Sequence, residues 1–251
     1  MQIQDCPWEF ENIGQRTGQL NYSSHDRYNS GEVRLAVRNY EYRVAKVPCG
    51  NMNCFLGLQR DGMTVMETQI HLSKDKDSFE KEWAKYRDVY EEIDFRQVTD
   101  DNDFSKMLSS IDDNMFSTDR ISLDPSFGPH IGRQRYVTWM EREYRKKSAA
   151  FWWICHNKQD VGFMMLRIED HLIDCLLNGL FTPFQRKGLG LLTPASPLLL
   201  SIMKELDVDE ETTTISSNNA PVVHLYNKLN FKIKRMTYVL ASHLLPPPEV
   251  I

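Results

Sequence analysis

Residues Leu180–Gly190 read "LFTPFQRKGLG". An apolar strand end, a proline break, two adjacent cations and two glycines one residue apart fall within eleven residues. Glycine frees the backbone from its usual restriction, and neighbouring cations imply an anion. Placed where a strand passes into a helix, such a loop suits a phosphate, because the first N–H groups of a helix have no internal partner. Two familiar phosphate loops are excluded. After Gly188-Leu189-Gly190 there is no third glycine for a dinucleotide fingerprint, and Gly188 is followed by Leu189 where a nucleotide-hydrolase loop requires lysine.

Downstream, "SNNAPVVHLYNKLNF" supplies a second signal. Asn219 opens a helix whose Val222, Tyr226 and Leu229 share one face, so Tyr226 turns toward the sheet. Asn230 suits the left-handed position that ends such a helix. Upstream, "AAFWWICH", "DVGFMMLRI" and "LIDCLLNGLF" are three strands joined by short polar links, an antiparallel meander. "DFRQVTD" feeds a helix capped by Thr99 or Asp100, with Phe104, Met107, Leu108 and Ile111 on one face, and a second helix carries Tyr136, Trp139 and Met140. Pro197 would kink the helix after the glycine loop at about 3 kcal/mol or delay its start, while Pro194 suits a first turn. "TTTISS" and "KIKRMTYVLAS" are the last strands.

The first ninety or so residues read as a smaller unit. "SGEVRLAVRNY" is a helix capped by Ser30, "EYRVAKVP" a strand, "GNMNCFLGLQRDG" a short helix stopped by Gly62, and "MTVMETQIHL" an alternating strand. Phe79, Trp83, Tyr86 and Tyr90 then recur at helical spacing in a charged segment. The reading is an α/β (α+β) chain with an N-terminal αβ domain over residues 1–92 and a larger sheet domain over 93–251.

The glycine loop and the later tyrosine, in this order and spacing, resemble the GNAT superfamily of acyl-CoA-dependent N-acetyltransferases, over roughly residues 93–242. The resemblance implies a mixed central sheet flanked by helices and acetyl-CoA as acyl donor. It assigns Gln185, Arg186, Lys187, Gly188, Leu189 and Gly190 to the coenzyme A pyrophosphate, with Asn219 close by. The pantetheine arm would run along the strand ending at Leu180 and Phe181, with a backbone N–H near Phe181 facing the thioester carbonyl. Tyr226 would protonate the departing thiolate. Gln185 stands where many members carry arginine, which leaves the charge to Arg186 or Lys187.

A narrower resemblance joins "PWEFENIGQRTGQL", "VAKVPCGNMNCFLGLQRDGMTVMETQIHL" and "MFSTDRISLDPSFG" to the dTDP-fucosamine acetyltransferase group. It implies transfer to the amine of a nucleotide-linked deoxyamino sugar for a surface polysaccharide, and a homodimer. Arg120 and Tyr136 are then candidates for the sugar-nucleotide side, since arginine suits a diphosphate and an aromatic ring suits a base or sugar. An amino acid, a polyamine or a protein N-terminus is the alternative acceptor; a non-catalytic acyl-CoA module is the alternative class. No base is assigned. Glu169, Asp170, His171 and Asn178 lie on or beside central strands, where loop carboxylates and histidines are mostly solvated surface.

Composition is consistent with this reading. A formal net charge of −5 argues against a general nucleic-acid binder. Five scattered cysteines complete no zinc site and read as reduced thiols, and neither a signal peptide nor a membrane span is expected. The expected location is the cytoplasm.

Overall fold

A computed structural model describes residues 1–81, 85, 93–192 and 197–244. Its strands form one sheet of ten, in the order β1-β2-β3-β10-β4-β9-β8-β7-β6-β5. They are β1 (Gln2–Asp5), β2 (Thr17–Asn21), β3 (Tyr42–Pro48), β4 (Thr64–Asp75), β5 (Ile93–Gln97), β6 (Ala150–His156), β7 (Gln159–Glu169), β8 (Leu172–Leu180), β9 (Glu210–Ser216) and β10 (Lys232–His243). The helices are α1 (Pro7–Ile13), α2 (Ser30–Val37), α3 (Met52–Arg60), α4 (Asp101–Ser109), α5 (Arg120–Leu123), α6 (Gly128–Lys146), α7 (Pro197–Glu205) and α8 (Ala220–Lys228). Only β2–β3 and β8–β9 pair in parallel; the other neighbours are antiparallel.

The expected meander is β6–β7–β8, and its turns use left-handed Asn157, Lys158 and Asp170. Val161–Leu166 of β7 are all buried, as befits a strand covered on both faces. The sheet does not stop at residue 92. β4, from the N-terminal segment, lies between β9 and β10, so the two ends of the chain complete each other's pairing. Hydrogen bonding to β9 also carries β4 on through Ser73, Lys74 and Asp75, past the end of its apolar alternation.

Alternating side chains send the sheet's residues into four cores. On one face, Ile70, Leu72, Ile173 and Ile215 meet Leu199 and Met203 of α7 and Tyr226 of α8. Farther along that face, Ala45, Val47 and Leu240 meet Val33, Val37, Cys54 and Leu58 of α2 and α3. On the other face, Phe151, Trp153, Phe163 and Met165 meet Phe104, Met107 and Met140 of α4 and α6. Beside these, Tyr42, Val44 and Val239 meet Ile121 of α5. Helices α5 and α6 cross closely, and a Cβ on Gly132 would run into Ser122 Oγ.

Local chemistry explains most helix ends. The α2 cap is Asn29, whose Oδ1 accepts from the N–H groups of Gly31 and Glu32; the expected Ser30 is the first helical residue. Asp100 rather than Thr99 caps α4. The loop expected between α4 and α6 contains the short α5, capped by Asp119. Pro197 neither breaks nor kinks α7, because the helix begins there, where a missing N–H costs nothing. Pro194, Trp83, Tyr86, Tyr90 and the expected domain boundary fall outside the described residues.

Candidate active site

The site is built around a fork in the sheet. β8 has nine residues, yet it hydrogen-bonds to β9 only through Leu172–Cys175 paired with Glu210–Thr213. Beyond Cys175, the β9-facing backbone groups of β8 have no strand partner among the described residues. A register shift between β7 and β8 at Leu166/Cys175 accompanies the opening and leaves Leu176 as the extra residue.

Tyr226 of α8 stands at the fork, 2 % exposed, its ring edge-on to Phe231. Asn178 Nδ2 donates to its hydroxyl oxygen at 3.3 Å and lies 3.0 Å from Cys175 Sγ. Burial, with Cys175 and Glu211 nearby, raises the phenol well above its ordinary range, against the smaller effects of Asn178 and Thr213. It is therefore a neutral donor at physiological pH. Asn219 caps α8 by accepting from the N–H of Val222 at 3.3 Å, and Asn230 ends the segment with φ 58°.

The glycine loop leaves the tip of β8 through a 3-10 turn over Thr182–Phe184. Arg186 (φ 60°) and Gly188 (φ 80°) then adopt the left-handed conformation, and a side chain at Gly188 would be strained whatever the space around it. Among the described residues, the N–H groups of Arg186, Lys187 and Gly188 meet no acceptor, and neither cation meets a carboxylate. Both cations are exposed, with Lys187 Nζ 5.4 Å from the Phe184 ring centroid. Gly190 lies in a second 3-10 turn over Leu189–Leu192, with Leu225 beside it.

Several expected residues stand elsewhere. Gln185 folds back, its Nε2 donating to Leu180 O at 3.0 Å, and does not take the place of a phosphate cation. The N–H of Phe181 itself is donated to Val161 O at 2.9 Å and its ring lies in the α4/α6 core. Leu180 and Leu189 line the α7/α8 core. Arg120 is not open to a diphosphate: it is 6 % exposed, with its NH2 nitrogen 2.8 Å from Glu9 Oε1 and Tyr42 Oη 3.4 Å away. Tyr136 donates its hydroxyl to Asp119 Oδ1 at 3.0 Å and stacks on Phe116, while Trp139 Nε1 donates to Glu143. Glu169, Asp170 and His171 lie at the opposite end of β8, about 20 Å from Asn178 at strand rise.

Two features were not foreseen. Glu211 of β9 is fully buried, and neither carboxylate oxygen has a hydrogen-bond partner. Burial raises its pKa well above 4.5, against the pull of Lys74. On the face opposite Tyr226, between the α4/α6 and α5 cores, the sheet presents polar side chains instead: Gln69, His71 and Ser73 from β4, Thr212 and Thr214 from β9, Asp174 from β8. Their signal was present as alternation in "ETQIHLSKD", but nothing in sequence put β4 beside β9. His224 lines an apolar cavity of about 440 Å³ that Tyr226, Val223, Phe231 and Ile233 also line.

Solved structures share this overall fold. A conserved protein of unknown function from Staphylococcus epidermidis superposes with a TM-score of 0.60 at 10 % identity, over 91 % of this chain and 84 % of its own. A tandem GNAT protein from the clavulanic acid biosynthesis pathway gives 0.56 at 13 %, over 92 % and 76 %. A GCN5-related N-acetyltransferase from Kribbella flavida gives 0.54 at 11 %, over 90 % and 81 %. The fold is that of the GCN5-related N-acetyltransferases. No family model and no curated protein matches the chain. Among the described residues, no helix is long and apolar enough to cross a membrane.

Proposed function

We propose that the chain is an N-acetyltransferase that uses acetyl-CoA, with the β8/β9 fork as its donor site. The observation that carries this is the coincidence, at one fork, of unpartnered strand edge, unengaged loop amides and a buried phenol. The edge of Leu176–Leu180 suits the amide groups of a pantetheine arm, which would lie there as an added strand. The N–H groups of Arg186, Lys187 and Gly188, with their two cations, suit a diphosphate. Acetyl-CoA supplies an activated acyl group with a thiolate leaving group. The protein's part is to hold it, exclude water and provide a proton at Tyr226 Oη.

The phenol suits that role because the neutral form is enforced by burial while Asn178 fixes its oxygen at the fork. The acceptor is an amine, and the sequence resemblance supports a nucleotide-linked deoxyamino sugar. That acceptor draws no support from Arg120, whose guanidinium belongs to Glu9. The test is Tyr226→Phe assayed by thiol release with acetyl-CoA and a panel of primary amines that includes dTDP-, UDP- and GDP-linked amino sugars. Turnover should fall by about 10²-fold or more with acetyl-CoA affinity kept. Unchanged turnover would remove the phenol from the reaction, and tight acetyl-CoA binding without thiol release from the wild type would favour a non-catalytic acyl-CoA module.

A further inference from the structure

Acyl transfer leaves one proton unassigned, the one the acceptor nitrogen loses as it bonds to the acyl carbon. The sheet restricts where a group that takes it can stand. Pairing between β8 and β9 ends at Cys175 and Thr213, and Tyr226 closes the fork from the α8 side. Alternation sends the next residue, Thr214, to the opposite face. There Thr214 Oγ1 lies 2.9 Å from Nδ1 of His71, its cross-strand partner on β4. The phenol and the imidazole thus stand at the same level of the fork, one on each side of the sheet. Thr214 is exposed and His71 half-buried, so a substrate reaches the imidazole from the polar face.

We propose that His71, contributed by the N-terminal segment, is the proton acceptor for the amine; the proposal rests on the acyl-transfer reading above. In the tautomer required, Nδ1–H donates to Thr214 Oγ1 and Nε2 keeps its lone pair. The step balances. A C–N bond forms and the N–H proton passes to Nε2, while the C–S bond breaks and sulfur takes the proton of Tyr226 Oη. The imidazolium then returns its proton to water, and the phenolate takes one back.

The surroundings keep the imidazole neutral, at the expense of its basicity. Burial, Arg235 opposite it on β10 and Lys46 of β3 lower its pKa to about 4, so it is neutral near pH 7. Asp174 of β8, Glu210 of β9, and Glu67 and Asp75 of β4 are carboxylates on the same face, each displaced from it along the strands. The plainer role, a hydrogen bond that only joins β4 to β9, makes different predictions.

The test compares the wild type with His71→Ala, His71→Gln and Thr214→Val in thiol release with the same amine panel, alongside acetyl-CoA calorimetry and melting. The proposal expects a loss of about 10²-fold or more in turnover for both His71 variants, with acetyl-CoA affinity within about twofold. Added imidazole should restore part of the His71→Ala activity, which a merely structural histidine would not allow. Thr214→Val should lower turnover without unfolding the protein, which keeps the test decisive if His71→Ala folds poorly. Turnover within about threefold of wild type in His71→Gln, while Tyr226→Phe is impaired, would overturn the His71 assignment and leave the acyl-transfer reading standing. A wild type that neither binds acetyl-CoA nor releases thiol would overturn both.

Discussion

Replacing Glu9 with alanine should cost more stability than almost any other single change on this molecule. Its carboxylate is 2 % exposed and holds two guanidinium groups: an Arg120 NH2 nitrogen at 2.8 Å from Oε1, and Arg135 Nε at 2.9 Å from both oxygens. Burial would raise the Glu9 pKa, but Arg135 and Arg120 outweigh it and hold the carboxyl below 4.5. Without Glu9, Arg135 retains Asp119 at 3.6 Å, whereas Arg120, 6 % exposed, retains the Tyr42 hydroxyl at 3.4 Å and loses its ion pair. Removing one partner of a buried ion pair costs about 3–5 kcal/mol, because a desolvated charge is left behind. For a chain of this size that is a fall in melting temperature of about 10 °C. Scanning calorimetry or circular dichroism on Glu9→Ala measures it, with Glu141→Ala, which loses only an exposed pair at 4.0 Å with Arg145, as a control expected to move by about 1 °C. The double variant Glu9→Ala/Arg120→Ala should be more stable than the two single losses summed, since the stranded cation is gone. A shift for Glu9→Ala no larger than that of the control would refute the claim that this cluster joins α1 to α5 and α6.

Two further outcomes follow from the site. Gly188→Ala forces a side chain into φ 80°, a penalty of about 1 kcal/mol, and should weaken acetyl-CoA binding about fivefold by calorimetry; unchanged affinity would mean the turn does not hold the diphosphate. Glu211, whose folded-state pKa is raised by burial, adds stability that is complete below about pH 4.5 and is lost as pH rises through the folded-state value. Chemical denaturation of Glu211→Gln should therefore gain on the wild type between about pH 5 and 8, and parallel curves would show that Glu211 is already ionised and compensated.

What could be read in sequence was local. β6, β7 and β8 announced themselves by apolar runs between polar links, Asn219 and Asn230 by the requirements of helix ends, and the fork residues by the loop and tyrosine spacing. β1 was hidden because its four residues, "QIQD", are all exposed with Ile3 the single apolar one, and β2 because Gly18 interrupts its pattern. Ser30 looked like a cap because serine commonly is one, yet Asn29 was one residue earlier and took the role. The failures of consequence were non-local. Arg120 suited a diphosphate until Glu9, 111 positions away, was found to hold it. His71 carried no motif, and only the insertion of β4 between β9 and β10 brings it to the fork. Periodicity predicts which face a strand buries, not which strand lies beside it.

The most direct test of the donor site is a calorimetric comparison of acetyl-CoA with acetyl-pantetheine, which lacks the nucleotide and diphosphate, on the wild type and on Arg186→Glu/Lys187→Glu. The wild type should bind acetyl-CoA far more tightly than acetyl-pantetheine, and the double variant should lose most of that difference while retaining its melting temperature. No heat with any CoA species, or equal affinity for the two ligands on the wild type, would contradict a diphosphate clasped at Arg186–Gly188 and with it the assignment of the fork.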